Sequence, residues 1–554
     1  MNLSEEQEND WQSEDGFEST DDLSDCDDVD EPMNSEDSEV SEEEDVEPST
    51  AVSQIIYGKD NLTEWHKNPQ QIVNIPQSPF IGKVHPNLPI HSLKAVFEMF
   101  VTNQMLDTIV KATNEKGNNK YQQDWVDTDA TELISWFGLH LRAGVNRDGF
   151  RPVPELFSMT DGPAIYGACM SRTRFTLIKE CIRFDNAMTR AQRKSYDSEG
   201  KLAPIKEIFD LFMESCNVNY EIGKNVTIDE AIVPFRGRCS FKVFMPQKPN
   251  KHGIKIWSLC DSLNAYLSNA QIYCGKTSST PERGQAQRVV NDLVEGIKGS
   301  WRNVTADNFF TSVGLCKELL QKNLTLLGTL RKNKSEIPPS FQASKERELY
   351  STRFGFSKNE RMVISSYVPK KRKAVIMLSS LHYSKDTDQT PPFKPNMIID
   401  YNKSKSGVDS LDQVVKNYSC RRSSSRWPLQ IFYWILDVAA YNASVCYMQE
   451  NPTIFQGSQK RRKFLLQLSE ELVLPQIKRR SQSEGYQKLH KDCRIKIQAF
   501  VPNPASVIPA NVTGKRKRCS ICPTRTGKKT SNTCTHCHIS VCNEHANIVC
   551  NDCL

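Results

Sequence analysis

The segment SGVDSLDQ, residues 406 to 413, sets Asp409 and Asp412 three apart at the head of a helix-like stretch. Residues three apart on an α-helix share a face, so the two carboxylates can converge. Taken alone, the pair is most simply a helix N-terminal charge favoured by the macrodipole. Two further carboxylates lie on strand-like runs. Asp229 sits in KNVTIDEAIVPFRGRCSFKVF, where apolar residues alternate at Val226 and Ile228, and Asp307 closes WRNVTADNFFTS, followed by Asn308. Carboxylates drawn from two strands and a helix start suit two-metal phosphoryl transfer, in which two Mg²⁺ (or Mn²⁺) ions roughly 3.5 to 4 Å apart flank one scissile phosphate. Spacing alone does not single out these aspartates from the others. There is no HExxH and no GxGxxG, and GKT at 275 lacks the upstream glycine of a Walker A loop.

A second candidate chemistry lies in the tail, CSICPTRTGKKTSNTCTHCHISVCNEHANIVCNDCL, which begins at Cys519. Its ligands form pairs with two residues between members: Cys519 and Cys522, Cys534 and Cys537, Cys542 and His545, Cys550 and Cys553. Each pair can reach one tetrahedral Zn²⁺, with thiolates at about 2.3 Å and the histidine nitrogen at about 2.0 Å, so four pairs supply two structural Zn²⁺ sites. By analogy with RING and PHD-type modules, the short later spacers favour a cross-brace, first pair with third and second with fourth. A module of about 40 residues buries too little apolar surface to fold unaided, so zinc is expected to hold residues 515–554 together. His536 and His538 are spare donors. Histidine falls sixth in ligand order, unlike common RING or PHD modules, which argues against a ubiquitin ligase despite the RING-like CSIC.

These groups need rigid elements, and 554 residues are enough for roughly three to four domains. The most apolar stretch, WPLQIFYWILDVAAYNASVCYM from Trp427, is interrupted by Gln430, Asp437 and Asn442. It is expected as a buried helix, with no membrane partner. The N-terminus lacks a basic start and an apolar core, so an intracellular protein is expected, with the 11 scattered cysteines as reduced thiols. Residues 1 to 50 hold 22 Asp and Glu and no Lys or Arg; the remainder has 71 basic against 45 acidic residues, a net charge of +26. Such a body attracts polyanions, nucleic acid first. The acidic tract is too charged to fold alone. It is a solubilising tail or a mimic of the phosphate backbone, open to phosphorylation at Ser35, Ser38 or Ser41. The basic runs KRKR at 515, QKRRK at 459 and KRR at 478 suit nuclear import or DNA phosphates.

The segments IDEAIVPFRGRCSFKVFMPQKPNKHGIKIWSLCDS (228 to 262), ADNFFTSVGLCKELL (306 to 320), GTLRKNKSEIP (328 to 338), YNKSKSGVDSLDQ (401 to 413) and RWPLQIFYWILDVAAYN (426 to 442) resemble piggyBac-type transposases, in family order and with the matching cysteine-rich tail. The resemblance implies an α/β plus α architecture with an RNase H-like catalytic domain at 225–333 and 395–418, interrupted by an insertion at 334–394. A split helical DNA-binding and dimerisation domain is implied at 78–224 and 419–500. A disordered acidic region at 1–77, a linker at 501–514 and the zinc module complete the chain. The implied DDD triad falls on Asp229, Asp307 and Asp409 as Mg²⁺ ligands, and an essential fourth acid on Asp412. The implied activity is cut-and-paste transposition: double-stranded DNA with terminal inverted repeats is cleaved at TTAA borders through 3′-OH attack and hairpin intermediates, then integrated at TTAA. A homodimer in the nucleus is expected. The alternative is a domesticated DNA- or chromatin-binding protein without transposition activity.

Other residues carry two readings each. Arg236 and Arg238 either grip phosphates bidentately or pair with Glu230. Arg331 and Lys334 match family positions associated with DNA. Asn308 could reach a target base or a metal-bound water, or could close a turn. Lys248, Lys251 and Lys255 form either a DNA-facing basic run or a solvated face. Trp427, Phe432, Tyr433 and Trp434 are expected in helix packing rather than base stacking.

Overall fold

The computed structural model describes residues 54–72, 74–86, 88–190, 200–246, 248, 251–275, 282–501, 517–522, 528–530 and 539–545. The chain divides into two compact units, residues 1–150 with 178–472 and residues 151–177 with 473–554.

The first unit is built on an 11-stranded mixed sheet. Its strands are β1 (Ile55–Tyr57), β2 (Glu64–His66), β5 (Asn225–Pro234), β6 (Val243–Phe244), β7 (His252–Asp261), β8 (Leu267–Ile272), β9 (Asn303–Ala306), β10 (Thr325–Thr329), β11 (Thr352–Phe356), β12 (Val363–Lys370) and β13 (Lys373–Ser379). A separate ribbon pairs β3 (Lys83–Val84) with β4 (Tyr220–Glu221). The sheet order is β1-β2-β11-β12-β13-β10-β9-β5-β7-β6, with β8 also on β7. β5, β7 and β8 form an antiparallel meander, while β9 and β10 run parallel to β5. All four residues of β9 are buried, as expected of a parallel strand covered on both faces.

Two further segments extend this sheet beyond β10. Residues 1–77 are expected to be disordered, yet 55–66 contribute β1 and β2. Trp65 is 1% exposed and its indole N–H donates to the Glu336 carbonyl at 2.8 Å. That much apolar burial, with its N–H satisfied, is enough to anchor a short edge hairpin. Residues 334–394, expected as an insertion domain, carry β11 to β13, and β13 pairs with β10, so the same sheet continues through them.

Helix Trp427–Glu450 is apolar nearly all round and accordingly buried, packing against helices Leu93–Glu98, Ala130–Val145 and Lys206–Asn219. Asn442 pins it to the sheet by exchanging two hydrogen bonds with the Leu267 backbone, 3.1 and 2.9 Å. Phe432, Tyr433 and Trp434 are buried, consistent with packing, and Trp427 meets Phe241 edge-on at 5.0 Å. Asp437 accepts the Cys420 N–H at 2.8 Å and the Ser419 hydroxyl at 2.7 Å. Burial pushes its carboxyl up to about 7.

The second unit packs Phe157 against Tyr166 and Phe175 at 5.6 and 5.3 Å. Arg480, from the KRR run, donates to the carbonyls of Gly167 and Ala168, and Lys496 reaches the Ser158 carbonyl at 2.7 Å. Among the described residues no helix is long and apolar enough to cross a membrane.

Candidate active site

Asp229 and Asp307 are brought together by a repeat. NVTID (225–229) and NVTAD (303–307) lie on the adjacent parallel strands β5 and β9, with Asn225 opposite Asn303, Val226 opposite Val304, Thr227 opposite Thr305 and Ile228 opposite Ala306. Each aspartate is the next residue. In-register parallel pairing keeps equivalent side chains on the same face, so the two carboxylates emerge side by side. Asp307 ends its strand in an Asx turn, accepting the Phe309 N–H at 2.9 Å. Helix Val313–Gln321 then starts with a Ser312 cap.

The repeated threonines hold the third segment. The Thr227 hydroxyl donates to the Ser404 carbonyl at 2.5 Å, and Thr305 shares a hydrogen bond with the Ser404 hydroxyl at 2.8 Å. Ser404 ends helix Asn396–Ser404, and Gly407 begins helix Gly407–Asn417 three residues later. A β-carbon at Gly407 would lie 2.6 Å from Thr227 Oγ1, so only glycine lets this helix start press so closely on β5. Asp409 falls in the first turn. Asp412 is held against β5 by the Ile232 N–H.

The electrostatics are those of crowded acids. Burial, then Glu230, Asp307 and Asp409, push the Asp229 carboxyl well above its ordinary range, with Lys248 opposing. Burial and Glu230 raise Asp307 to about 6 against the pull of the Phe309 and Phe310 N–H groups and Arg331. Burial, Asp409 and Glu230 raise Asp412 to about 7, although Lys248 and the Ile232 N–H act the other way. Hard carboxylate oxygens that repel one another are a fitting donor set for Mg²⁺ or Mn²⁺. Sequence reasoning took Glu230 only as a possible arginine partner; its place beside Asp229 was visible in the IDE tripeptide.

The expected DNA-contacting residues are distributed around this set. Arg236 and Arg238 are exposed just beyond β5, and the ion pair to Glu230 is made instead by Lys248, at 3.9 Å. Lys248 is also 3.9 Å from Asp409. Asn308 lies 3.4 Å from the exposed Arg331 Nε, joining the turn to the strand-β10 exit. Lys334 is half-buried and Lys251 exposed. Lys255 lies over the rings of Trp257, Tyr273 and Phe309 at 5.6 to 5.8 Å. Phe309, passed over by sequence reasoning, also has Arg331 at 5.7 Å, a cation–π arrangement beside Asp307.

The second unit contains a separate cluster. Cys519, Cys522, Cys542 and His545 have ligand atoms all within 4.8 Å of one another, the one such group among the described residues. The separations of 3.6 Å from Cys522 to Cys542 and 3.2 to 3.8 Å from His545 Nδ1 to the sulfurs match the edges of a tetrahedron with metal–sulfur bonds of about 2.3 Å. The Cys542 N–H donates to Cys519 Sγ at 3.2 Å. This joins the first and third pairs, as the cross-brace requires. Cys534, Cys537, Cys550 and Cys553 lie outside the described residues.

A family model described as "Transposase IS4" matches residues 93–444, more than half of the chain. The chain belongs to the piggyBac-type transposases. Human piggyBac transposable element-derived protein 3 is 24% identical over 369 residues, 63% of this chain and 60% of that protein. Human piggyBac transposable element-derived protein 2 is 22% identical over 366 residues, with the same shares. The chain therefore spans about 60% of the length of these curated relatives. A cryo-EM structure of a piggyBac transposase synaptic complex with hairpin DNA matches with a TM-score of 0.72 and 31% identity, covering 86% of this chain and 100% of that one. Membership of this transposase family implies a divalent metal; Asp229, Asp307, Asp409 and Asp412 are the acids gathered here that could hold one.

Proposed function

We propose that this piggyBac-type chain is a cut-and-paste DNA transposase acting as a nuclear homodimer on terminal repeats and TTAA sites. The observation that carries the reading is the in-register NVTxD pair, which sets Asp229 beside Asp307 while Thr227 and Thr305 hold the segment leading to Asp409 and Asp412. The order β8-β7-β5-β9-β10, with three antiparallel and two parallel strands, supports an RNase H-like catalytic domain formed by residues 225–333 and 395–418. The helices of 78–224 and 419–500 are assigned to end binding and dimerisation, and the zinc module 515–554 to end recognition.

With two Mg²⁺ ions bound by Asp229, Asp307 and Asp409, one would activate the attacking oxygen and the other stabilise the leaving oxygen. The chain's own part is positioning. The threonine clamp fixes the acids, Asp412 orients the Asp409 turn, and Arg331, Lys334, Arg236, Arg238 and Asn308 are assigned to DNA around the cut. Water or a DNA 3′-OH serves as nucleophile, with no covalent protein intermediate.

The test uses purified protein, Mg²⁺ and DNA carrying the terminal repeats found by sequencing the flanks of the gene. Nicks with 3′-OH ends at the TTAA border are expected, lost in Asp229→Ala with DNA binding retained. Binding without any nicking would establish the domesticated, non-catalytic alternative, and nicking unchanged by Asp229→Ala would sink the assignment of the acids.

A further inference from the structure

Lys248 stands among four carboxylates. Its Nζ lies 3.9 Å from Asp409 Oδ1, 3.9 Å from Glu230 Oε1 and 3.4 Å from the Glu230 carbonyl. Asp229 and Asp412 also act on it. Its side chain is 27% exposed, against 65% for Asp409, so the ammonium lies inside the rim of the acid cluster rather than out in solvent. An exposed lysine seeking DNA phosphates would be expected to extend into water, where its compact charge is best hydrated. This one is drawn inward by a local excess of negative charge.

We propose that Lys248 is a tethered stand-in for the catalytic cation: it holds the carboxylates of Asp229, Glu230, Asp409 and Asp412 in place before a divalent ion arrives, and is displaced when the ion binds. The inference rests on the acids being a divalent-ion site, as proposed above. Three features of the geometry support it. The separations of 3.9 Å are longer than a tight charge-assisted hydrogen bond of about 2.8 Å, so the ammonium is shared among acids rather than committed to one. The ammonium stands between Glu230 on β5 and Asp409 on helix Gly407–Asn417, 3.9 Å from each, so it bridges the two elements that carry the acids. A flexible four-carbon stem lets the charge swing away without moving β5 or helix Gly407–Asn417.

A resident +1 charge beside a +2 ion weakens binding of that ion. The consequence has an unusual sign: removing a cation from the site should tighten its hold on the metal. In zinc-loaded, DNA-free, full-length protein, Mn²⁺ binding is followed by calorimetry and by the paramagnetic resonance of the free ion. Lys248→Met, which keeps the stem and drops the charge, should bind Mn²⁺ at least about fivefold more tightly than the native chain. Lys248→Arg should stay near the native value. Asp229→Asn should lose the site.

In zinc-loaded protein free of Mg²⁺ and Mn²⁺, Lys248→Met should unfold at lower temperature than the native chain, and saturating Mn²⁺ should remove the difference. Unchanged or weaker Mn²⁺ binding in Lys248→Met would overturn the stand-in role and return Lys248 to a contact for DNA or a structural prop. No Mn²⁺ binding by the native chain, or binding indifferent to Asp229→Asn, would instead overturn the metal site on which the inference rests.

Discussion

Gly407→Ala is the sharpest test of how the site is positioned. The new β-carbon would meet Thr227 Oγ1 at 2.6 Å, Thr227 Cβ at 3.0 Å and the Asp261 carbonyl at 3.3 Å. Against an ordinary non-bonded separation of roughly 3.5 Å, the helix start must retreat by about 0.9 Å. Thr227 cannot turn aside cheaply, since its hydroxyl is engaged by the Ser404 carbonyl at 2.5 Å and Ser262 at 2.9 Å. Overpacking of this kind costs about 1 to 3 kcal/mol, and the helical preference for alanine over glycine returns about 0.5 to 1 kcal/mol. A net loss of about 0 to 2.5 kcal/mol leaves the fold intact. The consequence for activity is larger, because the displaced turn carries Asp409 and Asp412, and a misplacement near 1 Å costs on the order of 100-fold in rate. Nicking of terminal-repeat DNA should fall by that factor while DNA affinity holds. In a double-mutant cycle, Thr227→Ala removes the closest clash, so the pair should be less impaired than the two single losses combined. A Gly407→Ala protein that nicks at the native rate and melts at higher temperature would refute the close-approach reasoning.

Other expectations follow from the same geometry. Asp307 and Asp412, raised to about 6 and about 7, hold protons more tightly folded than at their ordinary value of about 3.9. Without divalent ions, their contribution to stability is therefore greatest below pH 4 and is lost as pH rises to about 7. Urea unfolding in chelator should show Asp412→Asn stabilising the chain at pH 8 but not at pH 4; the absence of that crossover would remove the raised carboxyl from the account. His545→Ala should lower bound zinc from two to one per chain by metal analysis, and two retained ions would exclude His545 as a ligand. Arg331→Ala should weaken DNA binding and reduce the salt slope of log K by about 1; an unchanged slope would take Arg331 off the phosphates.

The acids could be found in the sequence only in part, for reasons that differ residue by residue. Asp229, Asp307, Asp409 and Asp412 stood out through family order, yet the chain also carried an internal sign of the first two. NVTxD occurs at 225 and again at 303, and the spatial register superposes the copies residue on residue. Burial of helix Trp427–Glu450 was legible because an all-round apolar pattern has one stable environment. The β1-β2 hairpin was not, because three-residue strands behind an acidic tract have too little periodicity to register. The continuation of the sheet through β11 to β13 was hidden for another reason: strand partners of high sequence separation leave no local trace.

Lys248 illustrates the general limit. In the sequence it belongs with Lys251 and Lys255 in a basic run, and one explanation covered all three. In the structure the three separate: Lys251 is exposed, Lys255 is spread over the rings of Trp257, Tyr273 and Phe309, and Lys248 turns into the acids. Charge patterning reports how much charge a segment carries, whereas the fold decides which opposite charge each residue meets. Asp409 and Asp412 changed meaning in the same way. One turn apart they suggest a helix start in water; pressed by Gly407 and Thr227 against a strand that already carries Asp229 and Glu230, they complete a concentration of negative charge that Lys248 and Arg331 temper and that a divalent cation would neutralise more fully.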